Sequence, residues 1–286
     1  MLDLIIKGGD VVTPWGVGNW DVAIQGEKIV AIAAPGTLND DVGRTIDATG
    51  KIVVPGGIEP HAHIAAPIMG PGNLKTAPPE QVSRAALFGG TTTLMDFAIQ
   101  YPGIDINQAI QERTSVWQGK SYADYAHHLM LLGELSTPTL ESLHEHIEDG
   151  FSSVKIFTTN IRPPELSGEP RMVRMGHLHD LMEEIQRHNA MLLVHSEDDD
   201  MVQHMYEKLA VEERNEWWNM HLVHNNESED VSFRRVLRVS EWTGSPVYFV
   251  HVSAKEGIQA IGESRGKGMP IYGETLHNYC CFNADN

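Results

Sequence analysis

Two hydrophobic rhythms divide the chain. Over residues 2–54 the apolar positions come in short β-branched runs at 2–6, 21–25, 28–33 and 51–54. Turn residues separate them at Gly8-Gly9, Pro14 to Gly18 and Gln25-Gly26. This pattern predicts an antiparallel β module without helix. After Pro55 the rhythm changes, and apolar strand runs alternate with amphipathic stretches, as in a mostly parallel α/β sheet. Strands are expected near 58–63, 92–97, 128–132, 153–158, 191–195, 247–251 and 270–273. Helices are expected over 79–88, 140–148, 178–188 and 231–243, with Gly89, Gly150 and Gly244 as stops. No low-complexity segment or short internal repeat interrupts the pattern. Seven strands can be counted in this second part. A (β/α)8 barrel has eight and gathers its active site at the C-terminal strand ends.

Histidines fall at those ends. Three His-x-His pairs occur: His61/His63, His144/His146 and His177/His179. Residues i and i+2 share a face on a strand but diverge by about 200° on a helix. His144/His146 and His177/His179 lie in helical patterns and read as solvated helix histidines. His61/His63 follow the apolar run IVVPGGIEP, so both imidazoles are expected to project to one side at a strand end. His195 closes the run Met191-Leu192-Leu193-Val194, and His251 closes Val247-Tyr248-Phe249-Val250. Four imidazoles at the ends of three strands suit zinc and similar divalent ions. Lys155, in SSVKIFTT, alternates onto the face of Ser153 and Phe157, opposite its apolar neighbours. A strand lysine can snorkel or pair with a carboxylate. Desolvation also lowers its pKa, and a neutral amine can take up CO2 to become a carboxylate-like ligand.

Composition narrows the classes. The chain has 286 residues, a net charge of −18 and no basic run, which disfavours nucleic-acid or anionic-membrane binding. Its 41% hydrophobic content supports a packed core. No apolar stretch reaches the ~18 residues of a membrane span, and the first residues do not read as a signal peptide. The 2 cysteines, Cys280 and Cys281, are adjacent and predict a reduced, cytoplasmic protein.

VPGGIEPHAHI, GGTTTLMDF, SSVKIF, LLVHSED, VYFVHVSA and IYGET stand in the order and near the spacing of the cyclic amidohydrolases. Within them the chain most resembles the dihydropyrimidinase and D-hydantoinase branch. The resemblance covers essentially all residues. It implies a distorted (β/α)8 TIM-type barrel over 55–286, here with strands one to seven and lacking the last. Residues 1–54 are then part of a small β-sandwich that further C-terminal strands complete. It implies two divalent metal ions, usually zinc. His61 and His63 hold the more buried ion, His195 and His251 the more exposed one, and Lys155, N6-carboxylated, bridges them. A hydroxide shared by both ions attacks a ring carbonyl, and C–N cleavage gives an N-carbamoyl amino acid. Family members are often tetramers or dimers.

Departures from the family pattern are specific. Glu59 stands where the family has Asp. Asn160 stands where the branch has an oxyanion-binding tyrosine, a residue that allantoinases also lack. Thr275 to His277 match the segment that binds the substrate ring, which adds Thr275, His277 and Asn160 as substrate-binding candidates. The apolar loop from Ile64 to Gly70 is expected to shape the pocket. The proton-shuttling Asp of strand eight has no counterpart before Asn286, and neither Asp96 nor Asp285 is expected to replace it. Units of about 35 residues starting near Ile58 need roughly 335 residues to close a barrel. The sequence therefore reads as truncated and is expected to be inactive and poorly soluble alone, with strands one and seven as open edges. Three readings follow: a hydantoinase or dihydropyrimidinase, an allantoinase- or dihydroorotase-like enzyme, and a non-catalytic collapsin-response-like interaction protein.

Overall fold

The computed structural model describes residues 2–38, 41–68, 74–162 and 171–283. They form two compact units that divide at Gly57/Ile58, with residues 90–92 belonging to the first.

The first unit is a five-stranded sheet of β1 (Leu2–Thr13), β2 (Gly16–Gln25), β3 (Lys28–Ala33), β4 (Val42–Asp47) and β5 (Ile52–Val53). The strand at 42–47 was not expected. β1 pairs antiparallel with β2, and β2 with β3, as two short turns require. β4 and β5 instead run parallel to β1, so the sheet is mixed rather than antiparallel. Gly8-Gly9 is not a turn. It is a bulge inside one twelve-residue strand, where register slips between Ile6 and Gly9 and Gly8 takes φ +75°. Asp21, 1% exposed, accepts from Gly8 N and Gly36 N and ties the bulge down.

The second unit is a seven-stranded parallel sheet in the order β12-β11-β10-β9-β8-β7-β6. Its strands are β6 (Gly57–Glu59), β7 (Thr91–Gln100), β8 (Asp124–Leu131), β9 (Ser153–Phe157), β10 (Met191–His195), β11 (Val247–Phe249) and β12 (Ile271–Gly273). The helices are α1 (Pro79–Phe88), α2 (Ile106–Trp117), α3 (Thr137–Glu148), α4 (Met175–Arg187), α5 (Asp199–Val211), α6 (Met220–Val223), α7 (Asn226–Thr243), α8 (Lys255–Gly266) and α9 (His277–Cys281). Each predicted helix is present. The sequence pattern missed α2, α5, α6, α8 and α9, although Val202, Met205, Tyr206 and Leu209 of α5 stand at helical spacing and pack together. Local chemistry bounds the longer helices. Asp105, Asp198 and Asn225 cap α2, α5 and α7 by accepting backbone N–H groups. Gly244 ends α7 in the left-handed region at φ +74°. Cys280 and Cys281 are free and exposed. Among the described residues no helix is long and apolar enough to cross a membrane.

Sequential strand order with right-handed crossovers puts the helices on one face of the sheet. Packing agrees with this. Val154, Ile156, Leu192, Val194, Val247, Phe249 and Ile271 bury against Leu143, Leu181, Ile185, Phe233 and Val236 of the helices. The alternate strand positions form a separate cluster on the opposite face, with Phe97, Met130 and Leu132 against Ile99 and Phe157. Lys155 lies on this second face, as alternation predicts, because Val154 and Ile156 both point to the helices.

Candidate metal and active site

Five residues singled out in the sequence converge, four of them at or past the C-terminal ends of β6, β10 and β11 and the fifth, Lys155, within β9. His61 and His63 do not lie on a strand, since β6 stops at Glu59. They stand in an extended segment that hydrogen bonds hold instead. Glu59 Oε1 accepts from His61 N at 3.0 Å, and Ala62 N donates to Met95 O at 2.9 Å. His128 Nε2 reaches Pro60 O at 2.8 Å, and Thr76 Oγ1 donates to His63 O at 2.7 Å. Arg113 Nη2 donates to Ile64 O. The two imidazoles still share one side, with ring centroids 5.2 Å apart. Phe97 packs against both rings, stacked on His63 at 4.6 Å and edge-on to His61 at 5.1 Å.

His195 ends β10, and its Nδ1 lies 3.0 Å from Nε2 of His251. His251 follows β11 in a left-handed conformation at φ +38°, which a residue with a Cβ adopts only when its surroundings impose it. Those surroundings are identifiable. Val250 N donates to Val194 O, Val252 N donates to Glu274 O, and Glu229 holds the next turn. Both oxygens of Glu229 accept from the Ser253 and Ala254 backbone, and Ser253 Oγ donates at 2.7 Å. Ring centroids of His61 and His251 are 5.5 Å apart, so the two histidine pairs are neighbours.

Lys155 lies beneath them, 1% exposed, with Nζ 5.2 Å from the centre of the Phe157 ring. Burial pushes its ammonium down to about 7, against an opposing pull from Glu274. Burial, with the nearby His195, Lys155 and His61, pushes His251 down to about 2. Burial also lowers His195, opposed by its bond to Glu197. These imidazoles are thus neutral at pH 7, with lone pairs to give, and a sizeable share of the lysine is a free amine. That is the protonation pattern metal ligation requires. Among the described residues no three His, Cys, Asp or Glu side chains already surround a common point as ligands. The fifth donor is a lysine, which becomes a ligand only after modification. In donor chemistry the set fits a pair of divalent ions.

Several residues that orient this set carry no signal in the local sequence pattern. Glu274 sits in the GET motif. One of its carboxylate oxygens contacts His61 Nδ1, and the other accepts from Tyr248 Oη at 3.0 Å. Burial raises the Glu274 carboxyl, but the bonds to His61 and Tyr248 outweigh it and hold it below its ordinary value. Glu197 binds His195 and His224 together. His128 anchors the segment before His61 and bonds Ser153 Oγ at 2.6 Å. Asp96 is on the helix face. It binds Arg113, the Trp117 indole N–H at 2.8 Å and Phe97 N at 2.8 Å. Its acceptors are therefore committed to structure, and through Arg113 to Ile64 O next to His63.

The substrate-binding candidates follow β9 and β12 in the chain. Asn160 Oδ1 accepts from the backbone N–H of Arg171 at 2.8 Å and Met172 at 3.3 Å, so this oxygen braces the chain after β9. Thr275 Oγ1 donates to Val252 O at 2.9 Å. His277 is exposed at the start of α9. Of the apolar loop after His63, Ile64 is buried, while Met69 and Gly70 lie outside the described residues, as does Asp285.

No protein-family model matches the chain. Individual relatives do. A D-hydantoinase of Geobacillus stearothermophilus is 32% identical over 276 residues, spanning 96% of this chain and 56% of the relative. An allantoinase of Salmonella choleraesuis is 28% identical over 284 residues, spanning 99% and 60%. Among solved structures, dihydropyrimidinase from Brevibacillus agri superposes with a TM-score of 0.88 at 29% identity, over 99% of this chain and 59% of that one. D-hydantoinase from a Bacillus sp. superposes at 0.89 with 31% identity and the same coverage. The chain thus spans a little under three fifths of the length of the hydantoinase relatives it matches. On shared sequence along nearly its whole length and a shared fold, the chain belongs to the cyclic amidohydrolases, on the branch of the dihydropyrimidinases and D-hydantoinases.

Proposed function

We propose that this chain serves the metal-dependent hydrolysis of a cyclic amide or imide, opening a hydantoin or dihydropyrimidine ring to an N-carbamoyl amino acid. The observation that carries the reading is the meeting of four imidazoles, at or just past the ends of β6, β10 and β11, with the buried lysine of β9. In this reading the seven-stranded sheet is most of a (β/α)8 barrel, and the sheet of residues 1–54 is part of a β-sandwich. His61 and His63 would hold one divalent ion, and His195 and His251 a second. Lys155, carboxylated on Nζ, would bridge them. Zinc is the metal the donor set favours. Bound there, two such ions would acidify water and polarise a ring carbonyl.

The remaining chemistry belongs to the chain. The Lys155 amine, brought down to about 7 by burial, can add through its nitrogen to the carbon of CO2 and release a proton. The cation thereby becomes an anion, which a buried site tolerates beside metal ions but not alone. Glu274 orients the His61 ring and Glu197 the His195 ring, so each presents its other nitrogen to the site. Phe97 and Phe157 form an apolar floor that excludes water beneath the histidines. Water supplies the oxygen that joins the ring carbonyl carbon, the ring C–N bond breaks, and the departing nitrogen takes a proton. A soluble cytoplasmic setting and a homotetramer or homodimer accompany this reading, with no nucleic acid or membrane as partner.

A second reading is ring opening of allantoin or dihydroorotate. It is favoured by Asn160 in place of a tyrosine and by the allantoinase relatives. A non-catalytic, collapsin-response-like role is disfavoured by the five retained ligand candidates. The test is a substrate panel of 5-substituted hydantoin, dihydrouracil, allantoin and dihydroorotate, run with Zn2+, Co2+ or Mn2+ on the complete protein. Turnover of hydantoin or dihydrouracil above the other two is expected. Preference for allantoin selects the second reading, and no turnover of any ring with metal bound supports the non-catalytic role.

A further inference from the structure

Glu197 has an unusual position. It lies two residues past β10, is 9% exposed and bridges two imidazoles. Its Oε2 is 2.6 Å from His195 Nε2, and its Oε1 is 2.8 Å from His224 Nδ1. The far nitrogen of His224, Nε2, meets Tyr206 Oη of α5 at 2.9 Å. The backbone of Glu197 is clamped as well. Its N–H donates to Thr158 Oγ1 at 3.0 Å, and that hydroxyl is 2.8 Å from the Glu197 carbonyl oxygen. We infer that Glu197, held by His224, Tyr206 and Thr158, is a positioning residue that decides which nitrogen of His195 can bind a metal ion.

The argument is one of donors and acceptors. A carboxylate only accepts hydrogen bonds, so both imidazoles must turn an N–H toward it. For His195 that places the proton on Nε2 and the lone pair on Nδ1. Nδ1 is the nitrogen that faces His251 Nε2 across 3.0 Å. Two nitrogens on one tetrahedral zinc, with bonds of about 2.0–2.1 Å, stand roughly 3.3 Å apart. For His224 the same logic places the proton on Nδ1 and leaves Nε2 to accept from the Tyr206 hydroxyl. Every member of the row Tyr206, His224, Glu197, His195 then has one consistent direction of donation, running toward Glu197 from both sides. Reversing any one of them would set two donors or two acceptors face to face. The row therefore passes orientation from α5, across the α6–α7 junction, to a strand-end histidine. Among the described residues neither His224 nor Tyr206 hydrogen-bonds to any of the five ligand candidates, and both act through Glu197.

This inference rests on reading His195 as a ligand, and the test separates the two. The full chain is labelled with 15N-histidine and stripped of metal, and His195 is assigned with a His195→Gln variant. The parent should show the Nε2–H tautomer of His195. Glu197→Leu should show the Nδ1–H form or a mixture, and should bind Co2+ about 10- to 100-fold more weakly. Glu197→Gln keeps an acceptor oxygen for His195 and should recover most of that affinity. His224→Phe and Tyr206→Phe should weaken Co2+ binding in that order and by less, and they carry the test if Glu197→Leu does not fold. A merely structural Glu197 would change stability alone. An Nδ1–H tautomer in the parent overturns the inference, as does Co2+ affinity within about twofold of the parent in Glu197→Leu or, failing its folding, in His224→Phe. A parent that binds no Co2+ but shows the Nε2–H tautomer sinks the metal reading and leaves the positioning of His195 standing.

Discussion

Replacing Lys155 by Met should stabilise the metal-stripped chain, the reverse of what a structural lysine would do. Lys155 is 1% exposed, and burial brings its folded pKa to about 7 from an ordinary value of 10.5. Between those values the folded protein binds fewer protons at this site than the unfolded chain, so stability rises with pH across that window. At pH 7 the group is half protonated when folded and fully protonated when unfolded. The difference is about three units, on the order of 4 kcal/mol against folding. At pH 9 it shrinks to about one and a half units, or about 2 kcal/mol. Met has similar length and no charge and packs against Phe157 without that penalty. Urea midpoints of both proteins, in CO2-depleted buffer after chelation, should favour Lys155→Met by roughly twice as much at pH 7 as at pH 9. Metal binding should meanwhile be lost, and Lys155→Ala should regain part of it with added bicarbonate or a short carboxylic acid. Destabilisation at pH 7, or a difference that does not change with pH, would refute the reasoning. Full metal binding by Lys155→Met would refute the bridging role.

Three further outcomes test the surrounding structure. His61→Ala should lower bound divalent metal from two ions per chain, measured by elemental analysis, and the idea fails if parent and variant hold equal trace amounts. Asp96→Ala leaves the Arg113 guanidinium, which also donates to Ile64 O, without its carboxylate, and should cost about 3–5 kcal/mol in a denaturant titration. A loss below about 1 kcal/mol would mark the pair as dispensable. Glu229→Ala strips two backbone N–H groups and the Ser253 hydroxyl of their acceptor, at about 1–3 kcal/mol for each group that stays buried. Amide exchange at Ser253 and Ala254 should rise with it, and unchanged protection there would show that another group holds the turn after His251.

The chemistry-bearing residues were legible because each sits in a strong local signal. Continuous apolar runs mark β10 and β11, and a histidine at the end of such a run is hard to place anywhere but a strand end. Alternation assigned Lys155 to the correct face because Val154 and Ile156 are unmistakably core. His61 and His63 show the limit of that logic. Their shared direction was anticipated, but its cause was not, since β6 ends at Glu59 and contacts with Met95, His128, Thr76 and Arg113 hold the segment. The N-terminal sheet shows another limit. The hairpin turns predicted antiparallel neighbours, yet β4 and β5 return parallel to β1, a pairing that no turn residue encodes.

The sequence by itself determined the βα alternation, the face each strand residue takes, and the donor types gathered at the strand ends. These follow from period, from apolar runs and from side-chain chemistry, which act over a few residues. Tertiary structure alone decided what holds the donors. Glu274 meets His61 across 213 positions, Arg113 reaches Ile64 across 49, and Glu197 is shared with His224 across 27. No periodicity carries such pairings. They arise only when packing desolvates a polar atom and the sole remaining partner lies on a distant element. In the same way Lys155 becomes a half-neutral amine only once both faces of the sheet have closed water away from it.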